Sequence, residues 1–393
     1  MPLLSRSRPV RSSAEFALLE LDLKTSGDGF EICACISFRQ SGSGTGEGVR
    51  IDLTRSPLSL VSVDARGLDV ALIPKGTWFR PALVEARLRP DSDWSNAQLV
   101  LHLNWTGIPQ ILSIPEHFPA VIPSSLPLDG AELQRSQIHV SGPALHSEIA
   151  IAGLSSAGTA GVKNGGPMLQ AILVVGGRSA GQEDCDVVLS PASSGTSRPD
   201  LAEELAFRTS VLLGRLGDVF RLSPNVRIAY GTGAEYGGRR EFPTGAAQLS
   251  TAFQAPDLRL MATLGSIWWG GGCKILGKYG RDLEAGIAFG AALLCSENGS
   301  DPVFARKLVA HTERTLPVRL RDAAAGAFGN IRSGLAVELG AAILLACSGN
   351  PGRVEVLQRF TRSAWGQYVS VERVLHTLAS AGIRLPGFLT RGE

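Results

Sequence analysis

The sequence predicts an α+β protein in which a β-rich part precedes a mainly helical part. Two observations carry that prediction. From about Ala14 to Pro191, apolar residues alternate or gather in short β-rich runs separated by Gly, Pro, Ser and Asp. Beyond PASSGTSRPD the apolar residues recur at helical spacing instead, so a β half gives way to a mainly α half.

Length and composition bound the rest. A chain of 393 residues is long enough for two domains, each able to bury a full core. With 44% apolar and 19% charged residues, disorder, collagen-like repeats and a coiled coil are excluded. The 38 basic and 36 acidic side chains are interspersed with no basic stripe, so nucleic-acid binding is not expected. Six cysteines, none in C-x-x-C spacing, fit a reducing compartment, and the expected location is the cytoplasm. The N-terminal MPLLSRSRPVRSS has no apolar h-region, so residues 1–13 read as a flexible tail and not a signal peptide. The most apolar stretches, GIAFGAALLC and LAVELGAAILLAC, fall short of the ~18 to 20 residues that cross a bilayer, and Glu338 interrupts the second. They read as buried helices, and no membrane partner is expected.

In order along the first part, the strand-like runs are FEICACISFR, VRIDLT, LSLVSVDARGLDVALI, LVEARLR, AQLVLHLNW, QIHVSG, HSEIAIAG, LQAILVVGG and DVVLS. Cys33 and Cys35, two apart, share one strand face and read as core packing, not a ligand pair. The composition changes at PASSGTSRPD, which puts the boundary between residues 14–196 and 197–393. Ser197, Pro199 and Asp200 make a helix start, and Leu201, Leu205, Leu212, Leu216 and Val219 then fall on one helical face. NVRIAYG reads as a strand. Helices follow over DLRLMATLGSIWW, RDLEAGIAFGAALLC, PVFARKLVAH, SGLAVELGAAILLAC, RVEVLQRFTRSAW and SVERVLHTLAS.

Several motif matches fail on context. Gly177-Arg178-Ser179-Ala180-Gly181 matches G-x-S-x-G, but a nucleophile elbow must run into a helix and QEDCDVVLS reads as a strand. Gly272 to Tyr279 spells a phosphate loop with Tyr279 where a hydroxyl must reach magnesium. Gly231, Gly233 and Gly237 have dinucleotide-fingerprint spacing, but RREFPTGAA cannot open the helix that fingerprint needs. His311-Thr312-Glu313 lacks the P-C-x-x-C of a zinc deaminase, and the six histidines include no i, i+4 pair.

One longer segment is informative. Met261 to Ala288, MATLGSIWWGGGCKILGKYGRDLEAGIA, resembles the active-site core of the aminopeptidase N family of gluzincin zinc peptidases, whose pattern is H-E-x-x-H-x-W-W/F-G followed by a helix carrying N-E-G-F/I-A. Without a gap, the aromatic pair falls on Trp268 and Trp269, the glycine on Gly270, and the second helix on Glu284 to Ala288. The zinc histidines fall on Ala262 and Ser266, the general-base glutamate on Thr263, and the third ligand on Ala285. GTGAEYGG, placed after an edge strand, resembles the exopeptidase strand, with Glu235 at the substrate-amine carboxylate. Glu116-His117-Phe118-Pro119 resembles the family's W-F/Y-P signature. The Y-x-K-G tyrosine falls on Ile331.

The resemblance implies a saddle-shaped domain over 14–196 followed by a degenerate thermolysin-like domain over 197–393. A zincin needs two imidazoles at i, i+4, a carboxylate from a second helix and an adjacent base. Ala262, Ser266 and Ala285 offer a single hydroxyl among three ligand positions, so neither metal, cofactor nor peptidase activity is expected. The inherited interdomain cleft then remains as a place for a small-molecule ligand. Its candidate groups are Glu235 and Tyr236 as proton-transfer residues, with Gly233, Ala234, Thr263 and Ser266 contacting the ligand; Trp268 and Trp269 read as core. Glu284, about 100° around the helix from Ala285, is set aside as facing away. The expected function is a metal-free enzyme of the cyclase, lyase or isomerase type in a specialised biosynthetic pathway. The alternative is a non-catalytic pseudopeptidase that binds or scaffolds a protein partner.

Overall fold

The computed structural model describes residues 14–26, 29–40, 49–53, 58–74, 81–106, 111–113, 129–130, 132–133, 135–141, 149–154, 164–167, 172–175, 178–182, 185–190, 200–231, 246–248, 257–277, 279–296 and 334–383. In chain order the strands are β1 (Ala14–Ser26), β2 (Gly29–Gln40), β3 (Val49–Asp52), β4 (Leu58–Arg66), β5 (Leu68–Pro74), β6 (Pro81–Leu88), β7 (Gln98–Thr106), β8 (Ile111–Ser113) and β9 (Arg135–Ser141). They continue as β10 (Ile149–Leu154), β11 (Asn164–Pro167), β12 (Ile172–Val175), β13 (Arg178–Gln182), β14 (Cys185–Leu189), β15 (Val226–Gly231), β16 (Ala246–Gln248), β17 (Lys274–Leu276) and β18 (Tyr368–Ser370). The helices are α1 (Leu201–Phe220), α2 (Asp257–Gly265), α3 (Gly280–Cys295), α4 (Gly334–Cys347), α5 (Pro351–Ala364) and α6 (Val371–Ser380).

A six-stranded sheet runs β11-β9-β1-β2-β7-β4, with a three-stranded sheet β3-β6-β5 beside it. Gly67, at φ +71°, turns the chain between β4 and β5, which is why the single run LSLVSVDARGLDVALI becomes two strands in two sheets. Leu19, Leu21, Leu23, Ile32, Ala34, Ile36, Leu99, Leu101 and Leu103 form the inward set, each essentially free of solvent. The side-chain period of two therefore sends Cys33 and Cys35 to the opposite face. This corrects the expectation that they pack in the core: both are half-buried on the outer face, where Gln98 Nε2 donates to Cys35 Sγ at 2.8 Å.

The seven-stranded sheet runs β13-β14-β15-β10-β12-β8, with β16 paired to β15. Strand β15 is parallel to β14 on one side; on the other, β10 pairs with its start and β16 with its end. NVRIAYG is therefore an interior strand and not an edge strand. Its residues from Ile228 onward are buried, as both faces of an internal strand require. Arg178 to Gln182 form a strand antiparallel to β14, so the G-x-S-x-G string does not enter a helix.

Helix α1 buries Leu201, Leu205, Leu212 and Leu216, and Val219 packs partly buried beside them. It is tied to β15 where the Thr209 and Tyr230 hydroxyls hydrogen-bond at 2.8 Å, fully buried. Asp200 is its N-cap residue, although its side chain makes no capping bond. The remaining helices pack with β17 and β18 into one core with α1. PVFARKLVAH lies outside the described residues.

Candidate functional site

The segment that resembles a zinc-peptidase core folds as α2, a glycine turn, β17 and α3. Its first helix stops at Gly265, four residues before the end expected from the periodicity. The Ser266 and Ile267 N–H groups donate three residues back, to Thr263 O at 3.2 Å and Leu264 O at 3.0 Å. This is the tightened last turn of a helix that cannot continue, because Gly270 follows at φ +115°, a conformation that suits glycine alone. Ser266, the position of the second histidine in the family pattern, thus lies beyond the last α-helical residue.

The two helices of the pair meet closely. A Cβ placed on Gly265 would stand 3.0 Å from Ala288 Cβ and 3.1 Å from Ala288 O. Ala262 is buried, whereas Thr263, Ser266 and Ala285 are half-buried. The Ser266 hydroxyl donates to Thr263 O at 2.6 Å, so its proton is already committed. Trp268 and Trp269 are core residues, as expected. Trp268 stacks on Phe220 with ring centroids 5.2 Å apart, and its Nε1 donates to Leu222 O. Trp269 lies against Phe360, and its Nε1 donates to Thr361 Oγ1.

The strongest electrostatic feature of the segment is at Glu284, which helical spacing alone turns away from the ligand positions. Glu284, in the first turns of α3, accepts from Ile275 N at 2.7 Å and from Lys274 Nζ at 2.9 Å. Its side chain is 7% exposed and that of Lys274 18%. The carboxylate therefore pins β17 to α3 and lies against Gly270, whose added Cβ would sit 3.4 Å from Glu284 Oε2. Beside it, burial raises the Cys273 thiol and the negative charge of Glu284 raises it further. The ten-residue separation of Lys274 and Glu284 crosses a strand and a turn, so no helical or strand spacing announces the pair.

Zinc is the metal implied by the resemblance, and the residues at its place do not fit it. Two methyl groups and one committed hydroxyl occupy the three ligand positions, where zinc takes imidazole, thiolate or carboxylate. Among the described residues, no three His, Cys, Asp or Glu side chains form a group able to hold an ion. Of the expected site residues, Thr263 and Ser266 are brought together at the end of α2. Gly233, Ala234, Glu235 and Tyr236 lie outside the described residues, as do Glu116 to Pro119 and Ile331. No described helix is long and apolar enough to cross a membrane.

No family model matches this chain, and no curated protein matches it. Solved structures do. Native yeast LTA4 hydrolase aligns with a TM-score of 0.60 at 10% identity, over 99% of this chain and 69% of that one. The same yeast enzyme in complex with bestatin aligns with a TM-score of 0.58 at 11% identity, over 97% of this chain and 67% of that one. A substituted M1 zinc metallopeptidase from Deinococcus radiodurans, bound to a Tyr-Ser-Ala substrate, aligns with a TM-score of 0.58 at 15% identity, over 96% of both chains. In the sequence resemblance Ala262, Ser266 and Ala285 fall where the gluzincin pattern carries its metal ligands, and the chain has the α+β fold of the M1 zinc metallopeptidases and LTA4 hydrolases.

Proposed function

We propose that this chain is a pseudopeptidase that neither holds zinc at the α2–α3 pair nor hydrolyses peptides, and that it converts a small molecule by metal-independent acid–base chemistry. The observation that carries the first half is the identity and state of the three ligand positions: two alanines, and a serine hydroxyl donating to Thr263 O. Without a bound ion, water keeps its bulk acidity and a tetrahedral oxyanion has no Lewis acid beside it. The second half rests on the resemblance, which puts Glu235 and Tyr236 where a peptide's amino end would lie. A carboxylate there, partly stripped of water and no longer facing a metal, can take and return a proton, which is the requirement of a cyclase, lyase or isomerase. Gly233, Ala234, Thr263 and Ser266 would line the ligand.

One observation favours a second reading, a non-catalytic binding or scaffold protein. Glu284 and Lys274 are committed to each other, Glu284 also to Ile275 N–H, and Ser266 to Thr263 O, so these polar groups of the segment are held by structural bonds.

Native mass spectrometry of freshly purified protein, followed by assays on any small molecule it retains, separates the two. Turnover that Glu235→Gln abolishes while binding persists supports the enzyme. Binding of a protein partner with no turnover supports the scaffold. Zinc-dependent release of N-terminal amino acids from peptides overturns both.

A further inference from the structure

Helix α1 presents apolar surface that its own core does not use. Its buried positions, Leu201, Leu205, Leu212, Leu216 and Phe220 among them, form one stripe at helical spacing. Phe207 and Val211 stand outside that stripe, one turn apart, and remain 65% and 41% exposed. They belong to a single i, i+4 row made of Glu203, Phe207, Val211 and Arg215, and all four are exposed. Gly214 lies beside the row with open space where its Cβ would be, which leaves a shallow hollow next to Val211.

We infer that this row is a homodimer contact, in which α1 packs antiparallel on α1 of a second copy of the chain. The row reads acid, apolar, apolar, base, with its midpoint at Thr209. Turned end for end about that point, Glu203 meets Arg215 of the second copy and Phe207 meets Val211. Each contact then occurs twice, as an isologous interface requires. A parallel arrangement would instead set Glu203 against Glu203 and Arg215 against Arg215. Charge thus selects both the occupant and its direction, since the complement of this face is the same face reversed. A membrane fits less well, because the first turn carries two acids, Glu203 and Glu204, which an anionic leaflet repels.

The helix is held in place for this contact. At the midpoint of the row, on the opposite side of α1, the buried Thr209 hydroxyl is hydrogen-bonded to the buried Tyr230 of β15. A face fixed in this way loses little freedom on association. The contact centres on one helix face, which is small among stable interfaces, so the dimer is weak, with a dissociation constant of about 10–100 µM.

The test is sedimentation equilibrium of the full chain, in reductant, from about 1 to 300 µM, a range that brackets that constant. The expected result is a monomer–dimer equilibrium. Phe207→Ser, at a solvent-facing position, weakens it roughly ten-fold while circular dichroism stays that of wild type. Glu203→Arg and Arg215→Glu each weaken it alone, yet the two single variants mixed together associate as wild type does. The double variant Glu203→Arg, Arg215→Glu recovers the dimer. A wild-type chain that stays monomeric throughout overturns the inference, as does a dimer indifferent to Phe207→Ser or to the charge reversals. A monomer that floats with phosphatidylcholine–phosphatidylserine vesicles assigns the row to a membrane and overturns it too. None of these outcomes bears on the proposed function, which invokes no residue of the row.

Discussion

Lys274 and Glu284 are joined at 2.9 Å with only 18% and 7% of their side chains exposed, and the same carboxylate receives the Ile275 N–H. Strand β17 and helix α3 are held in register through this carboxylate. Glu284→Ala should leave an ammonium and a backbone N–H unpaired, at a cost of about 3 kcal/mol, since removing one partner of a buried pair is far worse than removing both. Urea unfolding measures it. The double variant Lys274→Met, Glu284→Leu should recover much of the loss, and a Glu284→Ala chain as stable as wild type refutes the role.

The contact of Gly265 with Ala288 sets the distance between α2 and α3. Gly265→Ala places a methyl 3.0 Å from Ala288 Cβ and 3.1 Å from its carbonyl oxygen, tighter than ordinary contact, so Ala288 must give by a few tenths of an ångström. The helices must separate, with an overpacking cost of about 1–3 kcal/mol. Thermal unfolding should show a lowered Tm, and an unchanged or raised Tm contradicts the packing described.

Peptidase chemistry should be beyond rescue by metal. Saturating zinc should leave hydrolysis of aminoacyl-coumarin substrates at the level of buffer, because Ala262, Ser266 and Ala285 cannot form the tetrahedral ligand set. Zinc-stimulated release of the fluorophore, absent in a Ser266→Ala variant, would show that the site works after all.

Alkaline pH should destabilise the helical part through its buried Cys347 and half-buried Cys295. Burial pushes Cys295 up to about 12 and Cys347 up to about 11 from an ordinary 9.0, against the opposing charges of Arg215 and Arg353. Above pH 9 the unfolded chain releases these protons while the folded chain retains them, so it binds fewer protons and stability falls with rising pH. The contribution is complete below about pH 9 and is lost as pH climbs through the window that ends near the two folded values. The urea midpoint should drop less between pH 8 and 10.5 in a Cys295→Ala, Cys347→Ala chain than in wild type. Equal slopes for the two chains would rule out the thiols as the cause.

Buried thiols, helices and strands were not equally legible in the amino-acid order. The α+β class followed from a change of period, from two to about 3.6, at PASSGTSRPD, and such a change is local information. The inward leucines of β1 and β7 show it plainly. The face of Cys33 and Cys35 was misjudged because cysteine is as apolar as its neighbours in FEICACISFR, and alternation alone does not say which face meets the core. The edge position assigned to NVRIAYG failed for another reason: its partners β10 and β16 lie elsewhere in the chain, and pairing is not written in a strand's own composition. Helix α2 ended early because backbone demands at Gly270 outweighed the apolar run through Trp269. In the candidate site, the emptied ligand positions could be read from the gapless frame. The Lys274–Glu284 pair, created by tertiary folding, could not.

Strand β10 crosses the composition break of the chain: Gly153 and Leu154 sit opposite Arg227 and Val226 of β15, which follows helix α1. Hydrogen bonding thus runs unbroken from residues before 196 to residues after it. Severing the polypeptide there would strip β15 of two partners, β10 and β14, and leave two fragments with raw sheet margins, each inclined to stick to copies of itself. The stretches on either side should melt together in a calorimeter, and a gene cut at that point should yield insoluble halves that regain solubility only when produced in the same cell.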